Sequence, residues 1–201
     1  MYLIYPAYVG RRSAVTIQID RYSELRPPTY PGTMRYVGIT EDMPGYDGVV
    51  GIYESSFPER ERIPLDMLIG DDGTVFDAVY DDDELVGLTC VVIDEKLTFL
   101  FYLAVDERYR SKGIGGRILD DICGRYREPV ILNIDLVDGP CDDRDVRMRR
   151  RSFYLGHGFR DTGRVLEDDQ GSFNILCKGI YDEREYDRFL GTSDYGTYRI
   201  S

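Results

Sequence analysis

The feature that most constrains the fold is an apolar segment that runs into a cationic, glycine-rich loop. Residues 97–105 (LTFLFYLAV) carry no charge and predict a strand, and residues 110–116 (RSKGIGG) follow after a short spacer. Apolar residues then recur at helical spacing, which predicts a helix over 113–125: they are Ile114, Ile118, Leu119 and Ile122. We therefore expect the N-terminus of a helix just beyond the end of a strand.

A helix start at this place predicts a binding site for a phosphate group. The first turn leaves about four backbone N–H groups without acceptors, and the helix dipole favours an anion beside them. Gly113, Gly115 and Gly116 let oxygen atoms approach the backbone and permit positive φ angles. Arg110 and Lys112 add cationic hydrogen-bond donors.

The spacing argues against two other phosphate-binding folds. A P-loop needs Gly-Lys-Ser/Thr after four spacer residues, and the loop lacks it. A dinucleotide fold needs G-x-G-x-x-G inside a β-α-β unit. Here the strands predicted at 75–80, 85–93 and 97–105 are joined by short acidic turns, which indicates an antiparallel meander instead.

The remaining pattern predicts an α+β domain over 34–180. Residues 1–33 are an extension rich in Tyr, Pro and Gly, with one candidate strand at 14–19, and residues 181–201 are a polar tail. Further helices are predicted over 41–55, 59–69 and 145–155, and further strands at 34–39, 129–136, 159–166 and 173–177. Thr40 is the predicted N-cap of the first helix.

The composition limits the kinds of partner. The net charge of −12 opposes binding to nucleic acid or to an anionic membrane. It favours a cationic partner such as an amine, or serves solubility alone. The chain has no long apolar run and no recognisable signal peptide, so we expect a cytoplasmic protein. The cysteines have no metal-ligand spacing, so we expect reduced thiols and no metal: Cys90, Cys123, Cys141 and Cys177.

Three motifs together resemble the GNAT acetyltransferase superfamily. Arg110, Gly113 and Gly115 fit its motif A, R/Q-x-x-G-x-G/A. The segment 153–159 (FYLGHGF) matches its F-Y-x-x-x-G-F element, and the segment 53–58 (YESSFP) resembles its Y-E-x-S-F-P element. The resemblance covers residues 34–180. It implies a mixed, mostly antiparallel sheet of about seven strands with helices on both faces.

The resemblance also implies a cosubstrate, acetyl-CoA, and the residues that bind it. The backbone of Leu103, Ala104 and Val105 would pair with the pantetheine arm, and the Leu103 N–H would donate to the thioester carbonyl. The tyrosine of the second motif, Tyr154, would protonate the leaving thiolate. The pyrophosphate would be bound beside Arg110 by the backbone N–H groups of the loop: Ser111, Lys112, Gly113, Ile114, Gly115 and Gly116.

The acceptor is less well defined. By resemblance, the segment that holds Glu54 and Phe57 lines the acceptor cleft. Residues 97–105 lack the glutamate that serves some family members as a base, so Glu54 and Asp135 are candidates to take a proton from an ammonium group. Both are also explained as ordinary surface carboxylates.

Two further positions have a structural and a functional interpretation. The position seven residues before Tyr154 is often Asn in the family, and here it is Arg147, which could face coenzyme A, an acidic substrate or solvent. His157 is the sole histidine. Because it lies between two glycines, we favour a role in a turn or helix C-cap over catalysis.

The sequence thus predicts an N-acetyltransferase that acts on a primary amine of a small, cationic or peptide acceptor. The alternative is a protein of the same fold that binds acyl-CoA as a sensor or scaffold without turnover. A monomer and a homodimer both fit. No nucleic acid, membrane or metal is expected.

Overall fold

The computed structural model describes residues 34–71, 73–137, 144–169, 171–192 and 197–201. The candidate strand at 14–19 and Cys141 lie outside these residues. The described strands form one sheet, in the order β1-β2-β3-β4-β5-β7-β6-β8. Their bounds are β1 Met34–Gly38, β2 Thr74–Asp81, β3 Glu84–Ile93, β4 Thr98–Val105, β5 Val130–Asp135, β6 Arg160–Glu167, β7 Ser172–Lys178 and β8 Arg199–Ile200.

Helices cover both faces of this sheet. The described α-helices are α1 Tyr46–Ser56, α2 Leu65–Leu68, α3 Ile114–Arg125, α4 Arg144–Gly156 and α5 Glu183–Thr192. Helices α1, α2 and α5 contribute to one apolar core, and α3 and α4 contribute to the core on the opposite face. The predicted α+β fold with a mixed, mostly antiparallel sheet is confirmed, and the described sheet has eight strands where about seven were expected.

The two central strands separate soon after they meet. Strands β4 and β5 pair in parallel at Thr98–Val130 and Phe99–Ile131, and their ladder ends there. All other pairs in the described sheet are antiparallel. Beyond Phe99 and Ile131 the two strands therefore leave a gap in the middle of the sheet.

The first two predicted helices differ from the structure. Helix α1 begins at Tyr46 rather than at residue 41, and Thr40 does not cap it. Its N-cap is Gly45, whose φ of 85° is left-handed, which suits a residue without a side chain. The helix predicted over 59–69 is a 3₁₀ turn at Glu59–Glu61 followed by α2. Pro64 separates the two pieces, because proline disfavours helical geometry in the residue before it.

The segment predicted as a polar tail contains the helix α5. Its residues Tyr186, Phe189 and Leu190 recur at helical spacing, and all three are buried in the core shared with α1. Asp182 caps the helix by accepting the N–H of Arg184 at 2.9 Å. No helix among the described residues has the length and apolar character needed to cross a membrane.

Candidate active site

The gap between β4 and β5 exposes one edge of β4. The Asp106 N–H donates to the Val86 carbonyl at 2.9 Å, so these residues form a hydrogen-bonded pair on the β3 side. Hydrogen-bonded pairs alternate along an antiparallel ladder, so the next such pair is Ala104 with Leu88. The N–H of Leu103 therefore points away from β3 and toward β5. No described strand pairs with it there, because the β4–β5 ladder has already ended.

The glycine loop connects this edge to the start of α3. Ser111 and Gly113 have positive φ angles of 62° and 80°. Apart from the adjoining backbone, no described atom lies within 4 Å of the place where a Cβ of Gly113 would stand, so the described residues leave this side of the loop open. The first bond into the helix runs from the Arg117 N–H to the Gly113 carbonyl at 3.1 Å. The N–H groups of Ile114, Gly115 and Gly116 therefore have no acceptor within the helix, as the predicted anion site requires.

The two cations of the loop have different surroundings. The Arg110 Nε donates to the Val105 carbonyl at 2.9 Å, and its Nη2 lies 3.4 Å from the Ser56 hydroxyl. Arg110 thus joins the end of α1 to the end of β4. The Lys112 ammonium lies 5.2 Å from the centre of the Tyr109 ring, on the exposed side of the loop. Of the two side chains, Lys112 is the one held at the loop surface.

Gly116 has a packing role in addition to its backbone N–H. A Cβ at this position would lie 2.7 Å from the His157 ring, because that ring packs directly over the glycine. The His157 Nδ1 lies 3.0 Å from the Asp120 carboxylate. His157 therefore fastens the end of α4 to α3, which agrees with the structural role favoured from the sequence.

Tyr154 lies within the core beneath this loop. It is completely buried, and its ring packs against Phe153 and Phe159 at centroid distances of 5.1 and 5.7 Å. It shares one core cluster with Leu103 and Ile114. Its hydroxyl is buried without a hydrogen-bond partner among the described residues. Burial raises the pKa of Tyr154 above its ordinary value, and Arg150 opposes that shift, so the phenol keeps its proton at neutral pH.

The predicted acceptor residues do not form one cluster. Phe57 is buried and packs against Tyr53 and Tyr102 at 5.3 and 4.5 Å, so it belongs to the core. Glu54 has a largely exposed side chain and lies 3.5 Å from Arg62. Phe57 thus contacts β4 through Tyr102, whereas Glu54 lies beside Arg62.

Asp135 is paired, and this pairing also explains Arg147. The Asp135 carboxylate is buried at the end of β5 and accepts from Arg150 at 2.7 Å. Arg147 lies 3.9 Å from the same carboxylate and donates to the Leu136 carbonyl at 3.0 Å. Two guanidinium groups therefore lie within ion-pair distance of the Asp135 carboxylate. The arginine that replaces the family's Asn therefore contacts the end of β5.

Sequence reasoning missed one carboxylate near the gap, Glu61. Its side chain is 3% exposed, whereas that of its neighbour Arg60 is 73% exposed. The Tyr102 hydroxyl of β4 donates to the Glu61 backbone carbonyl at 2.6 Å. The local sequence E-R-E-R offers no signal that separates Glu61 from the exposed Glu59, because the burial arises from tertiary packing.

Comparison with known proteins agrees with this architecture. Residues 71–161, which include the glycine loop and Tyr154, match the family model described as an acetyltransferase (GNAT) domain. The chain carries a GNAT acetyltransferase domain. The resemblance predicted from the motifs is therefore confirmed. No curated protein matches the chain.

Solved GNAT structures extend the likeness beyond the matched residues. A putative GNAT acetyltransferase from Bacteroides thetaiotaomicron is 24% identical, with a TM-score of 0.67, over 81% of this chain and 99% of its own. A GNAT acetyltransferase from Elizabethkingia anophelis with acetyl-CoA bound is 14% identical, with a TM-score of 0.51, over 74% and 99%. An aminoglycoside 6'-N-acetyltransferase complexed with coenzyme A is 18% identical, with a TM-score of 0.54, over 74% and 98%. At these identities the likeness establishes the GNAT fold.

The residues present fit acetyl-CoA as a ligand of the GNAT domain. The amides at the start of α3 suit a pyrophosphate, and the unpaired edge at Leu103 suits an extended amide-containing chain. The Tyr154 hydroxyl is a buried polar group that lacks a described partner. Such a group is costly unless a ligand completes its hydrogen bonding.

Proposed function

We propose that the protein is an N-acetyltransferase that moves acetyl from acetyl-CoA to a primary amine of a small or cationic acceptor. The observation that carries this proposal is the meeting of three elements in one GNAT domain. They are the edge of β4 at Leu103 and the Tyr154 hydroxyl, which both lack a described partner, and the open start of α3. An aminoglycoside acetyltransferase among the structural relatives supports a cationic small molecule as one class of acceptor.

Each element has a distinct part in the proposed reaction. The N–H groups of 111–116 bind the pyrophosphate, and the backbone of Leu103, Ala104 and Val105 pairs with the pantetheine arm. The Leu103 N–H stabilises the oxyanion that forms when the amine attacks the thioester carbonyl. Tyr154 donates its proton to the thiolate as the C–S bond breaks. Holding donor and acceptor together provides much of the remaining rate enhancement.

Release of free coenzyme A tests this proposal directly. Acetyl-CoA is incubated with spermidine, kanamycin, lysine or a short peptide with a free N-terminus, and the free thiol is measured. We expect at least one amine to accelerate release and Tyr154→Phe to lower kcat by about 10²–10⁴-fold. Acetyl-CoA binding without release for any amine would refute the transferase and support the sensor.

The chain offers a matched control in Tyr181. Its hydroxyl is also buried without a partner among the described residues, but it packs against Tyr186 on the opposite face of the sheet. Tyr181→Phe therefore removes the same kind of group from the face of the sheet opposite to Tyr154. An equal loss of kcat in both variants would show that the hydroxyl of Tyr154 has no special role in turnover.

A further inference from the structure

We propose that Glu61 is the proton acceptor for the incoming amine, which it binds as an ammonium ion in the gap between β4 and β5. This inference rests on the proposed acetyl transfer and supplies the base that β4 lacks. It also defines the acceptor class, since a buried anion selects an amine that arrives protonated.

The backbone of Glu61 is fixed against the strand that holds the proposed oxyanion donor. Tyr102, the residue next to Leu103, donates its hydroxyl to the Glu61 carbonyl at 2.6 Å. The Tyr53 hydroxyl donates to the Ile63 carbonyl and accepts from the Ile63 N–H, both at 2.9 Å. Two buried tyrosines thus hold the segment between α1 and α2 in one position above β4.

The two oxygens of the Glu61 carboxylate differ in their contacts with the described residues. Its Oε1 accepts from Arg60 at 3.1 Å. Its Oε2 is buried without a hydrogen-bond partner among the described residues. A buried carboxylate oxygen of this kind is unfavourable in the free protein. An ammonium donor would satisfy it.

Charged groups from three elements act on Glu61. They are Arg60 in its own turn, Asp135 at the end of β5 and Arg150 in α4. Together with the hydrogen bond from Tyr102 of β4 to the Glu61 carbonyl, these charges support a position of Glu61 between β4 and β5. The Asp135 carboxylate accepts a hydrogen bond from Arg150, whereas the Glu61 carboxylate keeps one oxygen without a partner among the described residues.

These groups also set the direction of its titration. Burial is the largest influence and raises the pKa of Glu61, and Asp135 raises it further, whereas Arg60 and Arg150 lower it. A carboxylate with a raised pKa is a stronger base than one in water. Because the carboxylate must be ionised to act, activity is expected to fall as pH decreases through the raised pKa.

The proposed step conserves protons and charge. Glu61 Oε2 takes one proton from R–NH₃⁺, which leaves R–NH₂ and a neutral carboxylic acid. The amine nitrogen then bonds to the acetyl carbon, and the C–S bond breaks after a tetrahedral intermediate. The thiolate takes the Tyr154 proton, Tyr154 is restored by the proton that leaves the nitrogen, and Glu61 releases its proton to water. The net products are the amide, coenzyme A and one proton.

Two amines of similar shape separate this role from a structural one. Ethylamine is protonated at pH 7, whereas 2,2,2-trifluoroethylamine is largely uncharged. With ethylamine we expect Glu61→Gln to lower kcat/KM at pH 7 by about 10²-fold or more, within the range of general base catalysis. With trifluoroethylamine the variant should stay within about threefold of the wild type, because no proton has to be removed first.

The exposed Glu59 provides the matched control variant. Glu59→Gln removes a carboxylate from the same 3₁₀ turn and should leave kcat/KM unchanged with both amines. The ethylamine pH profile adds a second measurement, since Glu61→Gln should lose the inflection caused by Glu61 ionisation and should rise with pH in proportion to the fraction of uncharged amine. Equal losses on both amines, or an unchanged inflection, would overturn the proton-acceptor role while leaving acetyl transfer intact. If the wild type binds acetyl-CoA but turns over neither amine, the transferase proposal fails for simple amines, and the role of Glu61 fails with it.

The stability of the free protein gives a test that needs no turnover. Because the folded-state pKa of Glu61 is raised, its favourable contribution is present at low pH and is lost as pH rises through that pKa. Gln mimics the neutral acid, so Glu61→Gln should melt above the wild type at pH 7 and level with it at pH 4. A variant that melts lower at pH 7 would show that the carboxylate is already satisfied in the free protein, against the proposal.

Discussion

Replacing Tyr154 by Phe should stabilise the protein while it impairs catalysis. The hydroxyl is completely buried and has no hydrogen-bond partner among the described residues. Leaving such a group unsatisfied costs about 1–3 kcal/mol, and Phe removes the group while keeping the ring. In a domain of this size, each kcal/mol corresponds to a shift in Tm of about 2–4 °C. Gain of stability with loss of activity is the signature of a polar group retained for function.

Tyr186 offers the same chemical change with the opposite expected sign. Its hydroxyl, also fully buried, donates to the Asn133 side-chain oxygen at 3.0 Å and accepts from the side-chain nitrogen at 2.8 Å. Tyr186→Phe removes the hydroxyl that hydrogen-bonds the buried amide of Asn133, so it should destabilise the protein by about 1–3 kcal/mol. Urea unfolding of the two variants at pH 7 measures the difference. A fall in stability for Tyr154→Phe, comparable to that for Tyr186→Phe, would refute the reasoning, since it would mean that the Tyr154 hydroxyl is already hydrogen-bonded.

Three further substitutions test the loop and its supports. Gly113→Ala places a Cβ at a φ of 80°, where the strain costs about 1–2 kcal/mol even though the space for the methyl group is open. Because this strain disturbs the loop proposed to bind the pyrophosphate, isothermal calorimetry should show weaker binding of acetyl-CoA. In Gly116→Ala the new methyl group would lie 2.7 Å from the His157 ring, so the variant should have a lower Tm. Adding His157→Ala should recover much of that loss. An equal Tm in the single and double variants would contradict this contact. Arg150→Ala leaves the buried Asp135 carboxylate poorly compensated and should cost about 3–5 kcal/mol in urea unfolding, with partial recovery on adding Asp135→Asn.

The sheet, the helix after the loop and the proposed binding loop could be predicted because each is encoded by neighbouring residues. Strand β4 and helix α3 appear as an apolar run and a helical repeat. The anion site needs only backbone N–H groups, whose positions follow from the helix start at Ile114. Tyr154 was found through a motif, and its burial without a described partner is what the structure adds.

Other elements depend on contacts between distant residues and were missed. Helix α5 lies in a strongly polar segment, and its apolar stripe is stabilised by stacking of Tyr186 and Phe189 on Phe99 of β4. Its start could have been found, since Asp182 followed by Glu185 has the spacing of a capping box. The interruption at Pro64 is equally visible in the sequence, because proline disfavours helical geometry in the residue before it.

The proposed donor and acceptor sides of the site are built differently, and this explains why the sequence predicts the first more fully than the second. The proposed donor contacts come from consecutive backbone groups at 103–116, so a local pattern is enough. The proposed acceptor side combines the α1–α2 segment, which bonds to β4, with the end of β5, which bonds to α4. The overall charge of −12 does not predict the electrostatic potential within the gap between β4 and β5, because Asp135 is paired with Arg150 and distant surface charges are screened over about 10 Å. Under the proposed role of Glu61, acceptor choice depends on a single buried group, because a cationic amine would satisfy the Glu61 oxygen that lacks a partner among the described residues.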